Sequence, residues 1–192
     1  MFGKWFRRSA RTNAAARTLY AAVVAQARKP AFYLHYAVPD TATGHFEMIC
    51  LHMYASLRRL KSLGPEGAAL AQATHDAMFA DMDRHYREQG IGDLGVGKRV
   101  KNLAAFLYGR IGVYDQGITG DEDALAQALR ENLYGSVFDD QGAPLADGSS
   151  PSGNAVFAMA AYLRHAVAAL DKIDPKELLL GLVRFPEIEH EG

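Results

Sequence analysis

The sequence predicts an all-α protein, a single-domain, irregular helical bundle of about six or seven helices. Apolar residues recur at steps of three and four along most of the chain, which places them on one side of a helix. No stretch shows the pattern of a convincing strand. With 192 residues, of which 49% are hydrophobic and 22% charged, the chain is long enough to bury one core.

The first forty residues predict one helix and an extended link. The helix is expected to begin near Thr12 or Asn13 and to end before Pro30, because proline lacks the amide that a continuing helix needs. Its apolar side carries Leu19, Tyr20, Val23, Val24 and Ala27. The link at 31–38 could form a short strand through its alternating apolar residues, which are Phe32, Leu34, Tyr36 and Val38. A turn is expected at 39–41.

Three long helices are expected over the middle of the chain. The second is the clearest, since one apolar stripe runs along it: Phe46, Ile49, Cys50, Met53, Leu57 and Leu60. Gly64 and Pro65 end it, and a third helix runs from about residue 66 to residue 89. The fourth carries Val100, Leu103, Ala104, Leu107 and Ile111.

Shorter elements complete the predicted bundle. A fifth helix begins with Asp121 as its N-cap and carries Leu125, Leu129 and Leu133. Residues 139–153 are loop by composition. A further helix aligns Val156, Met159, Leu163, Val167 and Leu170, and Asp174 and Pro175 begin a short last one. The predicted organisation is a basic aromatic segment at 1–13, a helical domain at 14–185 and an acidic tail at 186–192.

Charge is distributed unevenly, because no acidic residue precedes Asp40. If residues 1–11 are helical, aromatic and basic side chains lie on opposite sides, namely Phe2, Trp5 and Phe6 against Lys4, Arg7, Arg8 and Arg11. This arrangement is typical of a helix lying in an anionic membrane surface. A frayed terminus and an organelle-targeting segment are the alternatives. No apolar run approaches the roughly 20 residues that cross a bilayer.

Two short motifs resemble ligand sites but have the wrong context. Residues 90–95 match the dinucleotide fingerprint G-x-G-x-x-G, which requires a preceding buried strand. Here the preceding segment predicts a charged helix, so the glycines are expected to form a tight connection with positive φ.

The acidic and histidine residues at 75–88 suggest metal ligands, but helical spacing divides them from the apolar face. That face carries Met78, Phe79, Met82 and Tyr86, while Asp76, Asp83 and Arg87 face solvent. The single cysteine, Cys50, lies on an apolar stripe and fits a core residue in a reducing compartment. We therefore expect no metal, no cofactor, no catalytic residue and no nucleic-acid recognition.

Longer blocks of sequence resemble the ubiquinol–cytochrome c chaperone family. Residues 25–33 read Ala-Gln-Ala-Arg-Lys-Pro-Ala-Phe-Tyr, followed by Val-Pro-Asp-Thr at 38–41 and Gly-His-Phe-Glu at 44–47. Further similar blocks are 51–52, 58–61, 76–83, 87–88 and 90–98. The resemblance covers about residues 15–135 well and extends more loosely to about 172.

The resemblance implies an assembly chaperone for respiratory complex III that binds newly made cytochrome b. The residues it implicates in client or partner binding are Arg28, Tyr33, Asp40, Phe46, Asp76, Asp81, Arg87 and Asp93. It also implies a small assembly partner or the ribosome as a partner, as in mitochondrial members. Almost nothing precedes the signature, so the chain is similar to the bacterial form. The expected location is cytoplasmic and peripheral at the inner membrane, or the mitochondrial matrix in a eukaryote.

Two other functions stay open at this point. One is a small helical enzyme with a site around residues 76–93, and the other is a membrane-peripheral structural adaptor. Strongly shifted carboxylate pKa values in an apolar cleft favour the enzyme. An exposed apolar groove rimmed by charge favours the chaperone, and exposed methionines among Met48, Met53, Met78, Met82 and Met159 would suit such a groove.

Overall fold

The computed structural model describes residues 2–135 and 151–188, without the side chains of residues 2–8 and 122. Every regular element in these ranges is a helix, which confirms the all-α prediction. The elements are α1 Phe2–Ala27, α2 Ala31–Leu34, α3 Ala42–Lys61, α4 Gly64–Glu88, α5 Asp93–Thr119, α6 Glu122–Asn132, α7 Gly153–Asp171 and α8 Pro175–Leu179. Most of the predicted loop at 139–153 lies outside the described residues, and Ser152 caps α7.

The predicted start of the first helix near Thr12 is wrong, because α1 already begins at Phe2. No proline precedes Pro30, and the segment is rich in alanine and arginine, which are strong helix formers. Burial changes along this continuous helix. Ser9, Ala10 and Arg11 are exposed, whereas Ala15 and Ala16 are buried. The body of the protein therefore contacts α1 from about residue 15 onward.

The short strand suggested at 32–38 is also wrong. Pro30 is the N-cap of the one-turn helix α2, and its fixed φ of −56° suits a helix start. Phe32 and Tyr36 are buried on one side, while Leu34 is 74% exposed on the other. A helical turn gives this separation, whereas a strand would place Leu34 beside Phe32 and Tyr36. Alternation of apolar residues over four positions was too short a signal to distinguish a strand from a helical turn.

The third helix, α3, is enclosed by α1, α4, α5 and α7. Thr41 caps it by accepting a hydrogen bond from the Gly44 amide at 3.1 Å. Gly44 packs so closely on the preceding turn that a Cβ there would lie 2.0 Å from the Pro39 carbonyl oxygen. The predicted apolar stripe is present. The polar residues Glu47, His52 and Ser56 are buried on the same helix as well, which the stripe did not predict.

The buried Glu47 carboxylate is neutralised by Arg110 of α5. Arg110 Nε donates to both carboxylate oxygens, at 2.9 and 3.1 Å, and Nη1 donates to Asn132 of α6. The Glu47 side chain is fully buried and that of Arg110 is 13% exposed. The Arg110 guanidinium also lies 4.0 Å from the centre of the Phe106 ring. One ion pair thus joins α3, α5 and α6.

A second buried network joins α1, α3 and α7. Gln26 Nε2 donates to Tyr162 Oη at 2.9 Å, so this hydroxyl donates its own hydrogen to His52 Nε2, 2.8 Å away. His52 Nδ1 then carries the ring proton and donates to the Met48 carbonyl oxygen at 2.7 Å. Burial lowers the pKa of His52 to about 4. The network therefore requires a neutral imidazole.

The remaining helix boundaries follow the predicted capping signals. Asp121 and Asp174 are the N-caps of α6 and α8 and accept amide hydrogen bonds at 2.8 and 2.7 Å. The apolar residues predicted for α6 and α7 are all buried. α5 differs, because only Leu107 of its predicted stripe is fully buried and much of the helix faces solvent. Leu94 and Tyr108 on α5 are exposed.

Replacing Glu47 with glutamine should leave the Arg110 charge buried without an anion. We expect the free energy of unfolding in urea to fall by about 3 kcal/mol, as when one partner of a buried pair is removed. The control is Asp83→Asn, which breaks the more exposed pair with Arg87 and should cost less than about 1 kcal/mol. Equal losses in the two variants would contradict a special role for Glu47.

Protonation of His52 should destabilise the fold in mildly acidic solution. Its folded pKa of about 4 lies below the unfolded value of 6.5, so this stability is present above pH 6.5 and is lost as the pH falls toward 4. The contribution lost between pH 7 and pH 5 is about 2 kcal/mol. His52→Gln should flatten the pH dependence of the unfolding free energy over this interval. The control variant His165→Gln, at an exposed position of α7, should retain it.

Candidate functional site

Six of the eight residues implicated by the family resemblance lie around two adjoining concavities. Arg28 and Asp81 line both concavities, Phe46 lines one, and Asp76 lines the other. Tyr33 and Asp40 contact His45, which lines the same concavity as Phe46. Residues from three separate blocks of sequence therefore meet on one face of the bundle.

The first concavity is an apolar groove between α3, α4 and α5, called here the α3–α4–α5 groove. Its volume is about 730 Å³. Apolar side chains line its interior, namely Phe46, Ile49, Met82, Leu103 and Phe106. Charged side chains form its rim, namely Arg28, Asp81, Arg84, Glu88 and Arg99. An exposed apolar concavity bordered by both charges is typical of a surface that binds another chain.

Aromatic rings shape the groove and its rim. The Phe46 and Phe106 ring centres lie 5.6 Å apart, and Arg110 supports the Phe106 ring. Arg99 lies over the Tyr86 ring at 5.4 Å. Met82 is half-buried in the groove, whereas Met48, Met53, Met78 and Met159 are fully buried in the core. One of the five methionines considered from the sequence is therefore available as adaptable apolar surface.

One end of the groove is held by contacts between α1, α2 and α3. The His45 ring stacks on Tyr33 at 4.5 Å, and His45 Nε2 lies 2.7 Å from Asp40 Oδ1. Tyr33 Oη donates to the Ala27 carbonyl oxygen at 2.7 Å. Partial burial, aided by the charge of Asp40, raises the pKa of Tyr33 to about 12. Its hydroxyl therefore remains a donor that fixes the end of α1.

The second concavity follows the contact between α1 and α4, and is called here the α1–α4 groove. Tyr20 Oη donates to Asp81 Oδ2 at 3.1 Å, and Arg84 pairs with the same carboxylate. Burial and the Asp81 charge raise the pKa of Tyr20. Arg17 and Arg28 border the groove and are exposed, and neither has an ion-pair partner among the described residues. Two cations are thus available to an incoming anionic group.

Arg87 and Asp93 lie elsewhere and make structural contacts. Arg87 pairs with Asp83 within α4, at a spacing of four residues, and also with Asp93 at the start of α5. Gly90 has φ of +79°, which confirms the positive φ expected in this connection. These ion pairs neutralise the charges of Arg87 and Asp93 and stabilise the turn between α4 and α5. Arg84 also pairs with Asp81 within α4.

The two faces predicted for α4 are present. Met78 is buried and Phe79, Met82 and Tyr86 are half-buried, while Asp76 and Arg87 are exposed. Asp83 is intermediate, with a 40% exposed side chain in its ion pair. The segment before Gly90 is helix α4, so the strand required by the dinucleotide fingerprint is not there. No group of three potential metal ligands occurs within the described ranges.

Several groove residues were missed from the sequence. Arg99, Leu103 and Phe106 recur at steps of four and three on α5, a spacing that equally fits a helix packed into a core. Glu47 and Arg110 are separated by 63 residues, so no local pattern indicated their pairing. Cys50 is a buried core residue as expected, and burial raises the pKa of its thiol.

The basic N-terminal segment belongs to α1, but the side chains of Phe2, Lys4, Trp5, Phe6, Arg7 and Arg8 lie outside the described residues. Arg11 is exposed on this helix. Among the helices in the described part of the chain, none has the length and apolar character to cross a bilayer.

The fold and groove define an all-α bundle with an apolar groove bordered by charge, and comparison with known proteins identifies its family. The chain belongs to the ubiquinol–cytochrome c chaperone family, whose model matches residues 34–185. A crystal structure of the Cbp3 homolog from Brucella abortus is 35% identical, with a TM-score of 0.78 over 98% of each chain.

Two similar relatives carry the description ubiquinol-cytochrome-c reductase complex assembly factor 1. The Xenopus laevis protein is 26% identical over 93% of this chain and 81% of its own length. The Homo sapiens protein is 24% identical over 93% of this chain and 54% of its own. The chain thus spans about half the length of the human relative.

Proposed function

We propose that this chain is a non-enzymatic assembly chaperone for ubiquinol–cytochrome c reductase, respiratory complex III, and that it binds newly made cytochrome b. The observation that carries the proposal is the α3–α4–α5 groove, with apolar walls and a rim of both charges. Family membership supplies the biological context. A client composed of membrane helices presents apolar side chains that water does not stabilise, and such a groove can cover them.

The groove residues suit a client that must later be released. Met82 can adapt its side chain to different apolar partners, and Arg99 and Arg84 at the rim can steer acidic or backbone groups. The alternative enzyme site at 76–93 has less support, because Asp81, Asp83 and Asp93 are occupied by Arg84 and Arg87. These ion pairs give the charged residues of this region a structural role, so their presence does not require a catalytic one.

Action at a membrane surface is the second part of the proposal. α1 carries the basic segment, and Arg28, which follows its last residue, lines both grooves. Each cation near an anionic leaflet contributes about 1 kcal/mol to binding. The location we propose is therefore peripheral at the inner membrane. A small assembly partner or the ribosome is a further proposed contact.

Replacing Met82 with aspartate should weaken client binding by placing a charge in the apolar groove. We expect the cytochrome b that co-purifies with the tagged protein from native membranes to fall about tenfold, because an unpaired charge cannot be buried against apolar groups. Quantitative mass spectrometry measures the client, and complex III haem absorbance measures assembly.

The matched control is Leu94→Asp, since Leu94 is 94% exposed on α5 and lies outside the groove lining. It should retain cytochrome b, and both variants should melt within a few degrees of the unchanged protein. Equal recovery of cytochrome b by the two variants would place the client elsewhere. No cytochrome b with the unchanged protein would overturn the proposed function.

Removing residues 1–11 should reduce membrane binding without unfolding the protein. The body contacts α1 from about Ala15, so the melting temperature should remain nearly unchanged. Flotation with anionic liposomes should show weaker binding, and added salt should have the same effect on the full chain by screening its cations. Neutral phosphatidylcholine liposomes are the control. A full chain that ignores anionic liposomes at low salt would contradict the membrane proposal.

A further inference from the structure

Two exposed leucines follow α8 at the end of the helical body. Leu180 is 64% exposed and Leu182 is 46% exposed, and only Gly181 separates them. The other large apolar side chains exposed within the described ranges occur singly, at Leu34, Leu94, Tyr108 and Phe157. Isolated exposed apolar residues are ordinary on protein surfaces, whereas a fixed pair requires an explanation.

The backbone holds this pair rigidly. Gly181 donates to the Leu178 carbonyl oxygen at 2.8 Å and Leu182 donates to that of Glu177 at 3.1 Å, which together form a Schellman motif. Gly181 has φ of +80°, and a Cβ there would lie 2.0 Å from the Ala15 carbonyl oxygen. Glycine is therefore needed both for the turn and for contact with α1. The contact places this turn beside α1.

Leu180 lies where α1 leaves the body. It lines a concavity of about 430 Å³ together with Arg11, Thr12 and Thr18 of α1 and Ala69 of α4. Arg11 is one turn from Ala15, where burial of α1 begins. Leu180 thus lies at the base of the basic N-terminal turns.

The charges around the leucines favour an anionic surface. Arg184 is 82% exposed, and Lys176 and Arg11 are also exposed. Two acids lie in the same region, since Glu66 lines the concavity and Glu177 lies 4.0 Å from Arg184. Arg11 belongs to the basic segment 1–11, which contains no acid, so Leu180 lies beside a part of the chain whose charges are all positive.

We infer that Leu180 and Leu182 form a second lipid contact, which inserts into an anionic bilayer beside the N-terminal turns of α1. The inference rests on the membrane-surface part of the proposed function and adds its orientation. Two contacts, one basic and one apolar, fix the orientation of the helical body relative to the membrane, whereas a single flexible attachment would not fix it. Arg28, which lines the α3–α4–α5 groove, lies about 25 Å from Arg11 along the axis of α1, so this groove is distant from the lipid contact.

The test is flotation with liposomes of phosphatidylcholine and phosphatidylglycerol, using the full chain. The double variant Leu180→Ser with Leu182→Ser should bind about tenfold more weakly, because apolar burial is lost. Its salt dependence should stay unchanged, since every cation remains. The control double variant, Leu34→Ser with Leu94→Ser, removes two exposed leucines elsewhere and should bind like the unchanged protein.

A second variant tests the same surface by gain of binding. Leu180→Trp should bind these liposomes more tightly, because tryptophan favours the membrane interface. Unchanged binding by both the serine and tryptophan variants would overturn the inference, while loss of binding on removal of residues 1–11 would still support the membrane proposal. A full chain that fails to float overturns both membrane statements, and cytochrome b recovery then tests client binding separately.

Discussion

A carboxylate on the most enclosed helix must be neutralised before the bundle can close, and Arg110 supplies the charge. Glu47 is fully buried on α3, and Arg110 contacts it through both carboxylate oxygens. Desolvating two charges offsets much of their attraction, so such a pair fixes position more than it adds stability. Its geometry determines where α5 crosses α3, and the bond to Asn132 extends this constraint to α6.

The shape of the α3–α4–α5 groove is a consequence of the same pair. Phe46 precedes Glu47 on α3, and Phe106 lies one turn before Arg110 on α5. Because Arg110 holds both Glu47 and the Phe106 ring, the two phenylalanines meet at the groove interior. The buried charges thus position the half-buried apolar side chains of the groove. Much of α5 faces solvent, and the side of the groove that α5 forms is open to solvent.

Local patterns predicted the helices but not the contacts that assemble them. Capping residues such as Asp121 and Asp174 act within a few residues of themselves, and the structure confirms both. The start of α1 and the helical α2 were missed, because a basic segment and a four-position alternation carry weak signals. Six of the implicated residues meet on one face, but Arg87 and Asp93 have a structural role that requires the fold. Glu47 and Arg110 meet only because α3 and α5 pack together.

One helix connects the two ends of the proposed mechanism. α1 runs from Phe2 to Ala27 without a break, and Arg28 follows immediately at the grooves. Gln26 anchors this helix to Tyr162 and to the carbonyl oxygen of Pro186, while Gly181 contacts Ala15. The C-terminal segment therefore contacts α1 at two positions, at Ala15 and at Gln26. A rigid, braced helix would keep a fixed distance between the proposed lipid contact and the α3–α4–α5 groove. In this arrangement membrane binding would orient the groove instead of merely increasing its local concentration.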